Sequence, residues 1–167
     1  MDDFLLQRQK GCAQLMTGRH GNTSEIIGRS VQTRLRGIQQ EVATRTYQAS
    51  NHLRNASLYV LRGQRSGREY NVPHTRRRWQ ASSPGEAPAM RTGMFRLSWR
   101  PQMRVEKKGR TYRCVALIES GLRVGKWLLG ELLEDGTKRM KPRPYKQAVK
   151  DRAMPQIKAL YRKSYKA

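Results

Sequence analysis

Three histidines, two cysteines and twelve acids are the whole stock from which this chain could build a metal site or an acid-base pair. Their spacing assembles neither. His20, His52 and His74 fall on separate helix and loop patterns, so no metal trio and no base with an orienting acid is visible. Cys12 and Cys114 stand far apart in sequence, the second inside an alternating strand pattern, which reads as two reduced thiols rather than a disulfide framework. Glu131, Glu134 and Asp135 form the one acidic cluster. On a helix, 131 shares a face with 134 or 135, a geometry open to a divalent ion or, more economically, to pairing with the arginines of an adjacent copy. Gly121-Leu122-Arg123-Val124-Gly125 lacks the spacing and the Lys-Ser/Thr end of a phosphate-cradling loop, and Ser98 and Ser120 have no histidine nearby in sequence. These residues predict a protein that is not an enzyme and uses no cofactor or metal.

What the chain has in excess is positive charge. Lys plus Arg is 35 and Asp plus Glu is 12, a net +23 over 167 residues. Such a surface repels itself and seeks polyanions or acidic protein faces. Arginine outnumbers lysine about two to one, which favours geometrically defined pairing with carboxylates and phosphates. Three concentrations stand out: Arg76-Arg77-Arg78 beside Trp79, the interleaved Arg100, Arg104, Arg110 and Arg113, and the tail from Lys138 to Ala167, with eleven basic residues and one acid. Each suits DNA or an acidic neighbouring protein. For the first, Tyr70 and Trp79 could stack on bases, but single-strand sites repeat their aromatic spacing and this stretch does not.

The elements that must position these residues follow from periodicity. Residues 1–21 read as an arm or short amphipathic helix that orders on a partner. Asn22 with Glu25 resembles a capping box, and Ile27, Val31, Leu35, Ile38, Val42, Ala49, Leu53, Ala56 and Val60 make one apolar stripe on a helix over 22–62. That helix is longer than a compact domain of this size needs, which predicts packing against another chain. A projecting hairpin follows over 64–82. Trp99, Met103 and Val105, then Tyr112, Cys114, Ala116 and Ile118, alternate with polar residues as an antiparallel hairpin turned at Lys107-Lys108-Gly109. Trp127 to Glu134 has helical spacing, and a last helix begins near Tyr145, where Pro155 must kink or split it. With 37% hydrophobic residues, three Trp and two Phe, the expected core is thin, and part of the stability is expected from neighbouring subunits. The fold class is α+β: a long N-terminal helix, a small mostly antiparallel sheet of about four strands with an extended hairpin, and a C-terminal helix packed on the sheet, as an arm (1–21) and one domain (22–167). The acidic, barely apolar start predicts no signal peptide, and no apolar run is long enough to span a membrane.

Between the two halves lies a Pro/Gly-rich connector, Pro84 to Trp99, in which Thr92 can cap a short turn begun at Gly93. Its run P-G-E-A-P-A-x-R-T-G-x-F-R-x-S-W, with Arg91, Thr92, Gly93, Phe95 and Trp99, resembles the central signature of the head-tail joining proteins of tailed bacteriophages, the tail-completion or neck proteins of lambdoid-type siphophages. A second stretch agrees: Leu132 to Thr137, including Glu134, Gly136 and Thr137, followed by Pro142-Arg143-Pro144-Tyr145, is similar to that family's L-E-x-G-T and its Pro-Arg-Pro-aromatic step into a last helix. The resemblance covers roughly the second two thirds of the chain. It implies a structural virion subunit, made in the host cytoplasm and placed at the neck, that closes a ring of six copies, or of twelve, around the DNA channel. Its partners would be copies of itself, the other neck, portal-side and tail-tube proteins, and packaged DNA. The two motifs would then be folding and interface elements, and the arginine clusters would meet DNA or acidic partner rings. The competing class, from charge alone, is a free basic nucleic-acid-binding protein.

Overall fold

The computed structural model describes the backbone of residues 3–165 and the side chains of residues 23–165. The chain divides into two units, Met1–Glu41 with Tyr165–Ala167, and Val42–Ser164. One helix, α1, runs over Asp3–Val60 and belongs to both. It does not begin at Asn22, where the Asn22–Glu25 pair suggested a cap, because the backbone is already helical on both sides of that residue. The glycines at 18 and 21 do not stop it, since each costs a helix only about 1 kcal/mol. The side chains of the arm expected over residues 1–21 lie outside the described residues.

In the first unit the described part of α1 carries an ion pair between Arg29 and Glu25 (3.3 Å, one turn apart) and a Thr33 hydroxyl donating to the Arg29 carbonyl at 2.9 Å. Four large apolar side chains stand in water there: Ile26 is 63% exposed, Ile27 59%, Val31 51% and Leu35 52%.

In the second unit the stripe is covered. Ala49, Ser50, Ala56, Ser57 and Leu61 of the α1 side are buried, and α4 (Lys146–Arg162) runs antiparallel to it with Val149 and Ala153 buried. The pairing is fixed at both ends: the Thr46 hydroxyl meets the Tyr161 hydroxyl at 3.0 Å, Arg45 donates to the carbonyls of Lys163 and Ser164, and Arg152 lies over the Tyr59 ring. Alanine and serine at the contact leave no long side chains to hold the helices apart. Pro155 neither splits α4 nor ends it; the residue is exposed, so the carbonyl it leaves without a donor is on the wet side of the helix.

The remaining elements are α+β, as the periodicity predicts, but the strands form three separate two-stranded ladders and not one sheet. β1 (Glu69–Asn71) pairs antiparallel with β2 (Arg78–Gln80), β3 (Arg100–Lys108) with β4 (Thr111–Glu119), and β5 (Arg123–Val124) with β6 (Trp127–Leu128). Strands of two or three residues have too few main-chain donors to recruit a further neighbour. Short helices α2 (Met94–Leu97) and α3 (Leu129–Asp135) fill the corners. The core is one cluster of Ala56, Leu61, Tyr145, Val149 and Ala153, with Leu53, Phe95, Trp99, Ile118, Leu133 and Ile157 packed against it. Ile118 and Trp99 bring the root of the β3–β4 hairpin onto it, so α4 meets the strands there and lies along α1 for the rest of its length.

Because Ala153 has no exposed surface, Ala153→Leu forces extra methylenes between α4 and α1 and should cost about 1–3 kcal/mol. Thermal melts should show the loss, whereas Pro155→Ala, at an exposed position, should leave the melting temperature unchanged or raised.

Candidate functional site

The two motif stretches fold into one corner. The Gly85 amide donates to the Pro142 carbonyl at 3.2 Å, joining the first motif directly to the second. Glu86 clamps the base of the β1–β2 hairpin: its carboxylate accepts from the Ser66 hydroxyl (2.5 Å), the Ser66 amide (3.1 Å) and the Ser83 amide (3.0 Å). Those bonds, the Ser66 hydroxyl first, hold its carboxyl below the ordinary carboxylate range. Arg65 donates to the Pro88 carbonyl and, with Nη2 at 2.8 Å, to the Val60 carbonyl, closing the end of α1.

Gly93 takes φ 78° immediately before α2, a left-handed step that favours glycine. Thr92 reaches the Met94 amide only at 3.4 Å, so the cap expected from it is weak. The turn closes instead through main-chain bonds from Leu97 to Gly93 and from Ser98 to Met94. Phe95 and Trp99 point inward onto Tyr145, forming a trio of edge-on rings with centroids 5.6, 5.7 and 5.9 Å apart. Arg96 and Arg54 tie this turn to α1, donating to the Leu58 carbonyl at 2.8 Å and from Arg54 to the Trp99 carbonyl at 3.1 Å.

In the second motif Glu134 is a helix cap. Its Oε2 accepts from the amides of Tyr145 (3.0 Å) and Lys146 (3.3 Å), placing negative charge at the N-terminus of α4. That use engages the carboxylate expected to pair with a neighbouring copy. Among the described residues no group of three His, Cys, Asp or Glu could hold a metal ion. Gly136 has φ 80°, and a Cβ there would sit 2.8 Å from the Met140 carbonyl oxygen. Thr137 closes the loop by accepting from the Met140 amide at 3.1 Å. Pro144 then delivers Tyr145, whose hydroxyl donates to the Gly130 carbonyl at 3.2 Å. Burial, with the carboxylates of Glu134, Asp135 and Glu131 behind it, pushes the Tyr145 phenol well above its usual range.

Sequence reasoning missed several parts of this corner. Ser98 and Ser120 meet at 2.6 Å as a clip between the connector and the end of β4, with no histidine in the pair. Arg54, Arg65, Arg96 and Arg143 are internal donors to main-chain carbonyls, Arg143 to that of Ser82. Their only local signal is position, next to the carbonyls that a helix end or a tight connector leaves without partners.

The basic clusters are placed differently from one another. Arg76, Arg77 and Arg78 are exposed at the turn and start of β2, where His74 has φ 61° and Arg78 approaches Glu69 at 3.8 Å. Tyr70 and Trp79 of that hairpin stack at 5.1 Å, with Arg68 over one ring and Arg91 over the other. These rings face each other, so neither is a free platform. In the β3–β4 register, Arg100 pairs with Glu119, Arg104 with Val115 and Glu106 with Arg113, which puts Arg100, Arg104 and Arg113 on one face. Arg110 sits in the turn and not on that face. The opposite face is covered only near its root; Val105, toward the tip, is exposed.

No protein-family model, curated protein or solved structure matches this chain.

Gly136→Ala should destabilise the fold by about 1–3 kcal/mol, measured by urea denaturation, because both the backbone angle and the Met140 carbonyl oppose a Cβ. Glu86 has a folded pKa below its unfolded value, so its stabilisation is present above that unfolded value and is lost as pH falls through the folded one. Below pH 4.5 the melting temperature of the native chain should therefore fall more steeply than that of Glu86→Gln.

Proposed function

We propose that this protein is a structural subunit of the head-tail junction of a tailed bacteriophage, closing a ring with copies of itself around the DNA channel. The ring has six copies as the first expectation and twelve as the second. The resemblance of the two motifs supplies the place. The observation that carries the assembly half of the reading is the exposed row of Ile26, Ile27, Val31 and Leu35 on α1, a run of apolar side chains that a lone subunit leaves in water. The buried apolar set among the described residues is correspondingly small. In this reading the protein is not an enzyme. Its partners are copies of itself and the neighbouring neck, portal-side and tail-tube proteins, with packaged DNA in the channel. Among the described residues no helix is long and apolar enough to cross a membrane.

The face carrying Arg100, Arg104 and Arg113 and the exposed Arg76–Arg78 turn favour a second reading, a free basic nucleic-acid-binding protein. The two part in solution. A ring subunit should show a mass of several chains by native mass spectrometry, and antibodies against it should label the neck of virions in electron micrographs. A nucleic-acid-binding protein should stay monomeric and bind duplex DNA with an affinity that falls steeply with salt. A monomer that leaves virion necks unlabelled would sink the first reading.

A further inference from the structure

Behind the first motif the second unit encloses an open hollow of about 610 Å³. Its walls are apolar, with Phe95, Leu122, Leu129 and Leu133 deeper in and Met90 and Met94 exposed at the mouth. Four arginines line it as well: Arg91, Arg96, Arg123 and Arg143. No acidic residue does. Each guanidinium has a neutral neighbour in place of a carboxylate. Arg96 donates to the Leu58 carbonyl and Arg143 to that of Ser82, Arg123 reaches the Lys126 carbonyl only at 3.5 Å, and Arg91 lies 5.7 Å from the Trp79 ring centre. None of the four makes an ion pair among the described residues. Ser82 contributes to the wall as well, and its residue is 4% exposed.

An apolar hollow bordered by uncompensated positive charge has a defined complement. We propose that it is the docking site for an acidic peptide segment of a partner protein, one with aromatic or aliphatic anchors between carboxylates. The anchors fill the hollow between Phe95, Leu122, Leu129 and Leu133. The carboxylates pair with Arg91 and Arg123, the two exposed arginines, in the charge-assisted geometry that guanidinium favours. Nucleic acid is a poorer occupant, because a phosphate ladder leaves the apolar walls unfilled and Phe95 is already packed edge-on against Trp99 and Tyr145. This inference rests on the hollow alone and stands or falls apart from the neck assignment.

The test uses the full chain and a fluorescein-labelled peptide reading Asp-Glu-Phe-Leu-Asp-Leu-Glu-Asp, followed by fluorescence anisotropy at physiological salt. Two sister peptides share its length: one with the apolar residues changed to serine, the other with the acids changed to glutamine and asparagine. Saturable binding of the first, with both sisters weaker by about tenfold or more, is expected. A polar acidic peptide that binds equally well would reduce the effect to the net charge and overturn the proposal, and so would an uncharged peptide that binds equally well. The double variant Arg91→Glu with Arg123→Glu should weaken the first peptide about tenfold or more at unchanged melting temperature. Met94→Asp, a single exposed change at the mouth, should do the same if the double variant fails to fold. Unchanged affinity in the folded variants would overturn the site, as would a 20-base-pair duplex that displaces the peptide from the native chain.

Discussion

Tyr145 carries more of this fold than any other side chain. Among the described residues it is the one large aromatic residue buried almost completely, and three separate forces converge on it. Its ring meets Phe95 and Trp99 edge-on, each such contact adding about 0.5–1.5 kcal/mol beyond the area buried. Its hydroxyl satisfies the Gly130 carbonyl, and its amide is held by Glu134. It therefore fixes the first motif, the α3 helix and the start of α4 to one another at a single point. Gly130 is glycine for the same reason, since a Cβ there would lie 2.8 Å from the Tyr145 hydroxyl.

Around that point the apolar interior is small, and arginines do part of the work that larger side chains do elsewhere. Arg45, Arg54, Arg65, Arg96 and Arg143 each donate to main-chain carbonyls far along the chain or at the end of a helix. A planar guanidinium with five donors can serve two carbonyls at once while its methylene stem lies on apolar surface. Part of the net +23 is accordingly structural, and the charge free to meet a partner is smaller than composition suggests. Among the described residues the exposed charge includes the turn at Arg76–Arg78, one face of β3–β4, the mouth of the hollow behind the first motif, and the lysines along α4.

The contrast along α1 follows from the same scarcity. From Val42 onward small residues let α4 approach closely and cover the stripe, while at Ile27, Val31 and Leu35 side chains of the same periodic stripe face water. A subunit that keeps a thin core and leaves such a row exposed is suited to gaining stability from neighbours. That property links the physical chemistry of the chain to the assembly role proposed for it.

Much of this was legible in the residues alone. The 3.6-residue stripe is enough to specify α1 from Ile27 to Val60, and strict alternation on either side of Lys107-Lys108-Gly109 is enough to specify the β3–β4 hairpin and its two faces, because each pattern depends only on local backbone geometry. The short turn at Gly93 and the start of α4 near Tyr145 were readable for the same reason, but the left-handed angle of Gly93 was not. Four things required the tertiary structure. The strands stay as separate pairs, even the nine-residue β3 and β4, which no local pattern decides. Glu134 caps a helix eleven residues away in the chain, and Ser98 meets Ser120 from the far end of a hairpin. The division of the arginines into internal donors and free charges also needed it, because a guanidinium's role depends on which carbonyl or carboxylate folding brings within about 3 Å, and that proximity is not encoded in any local period.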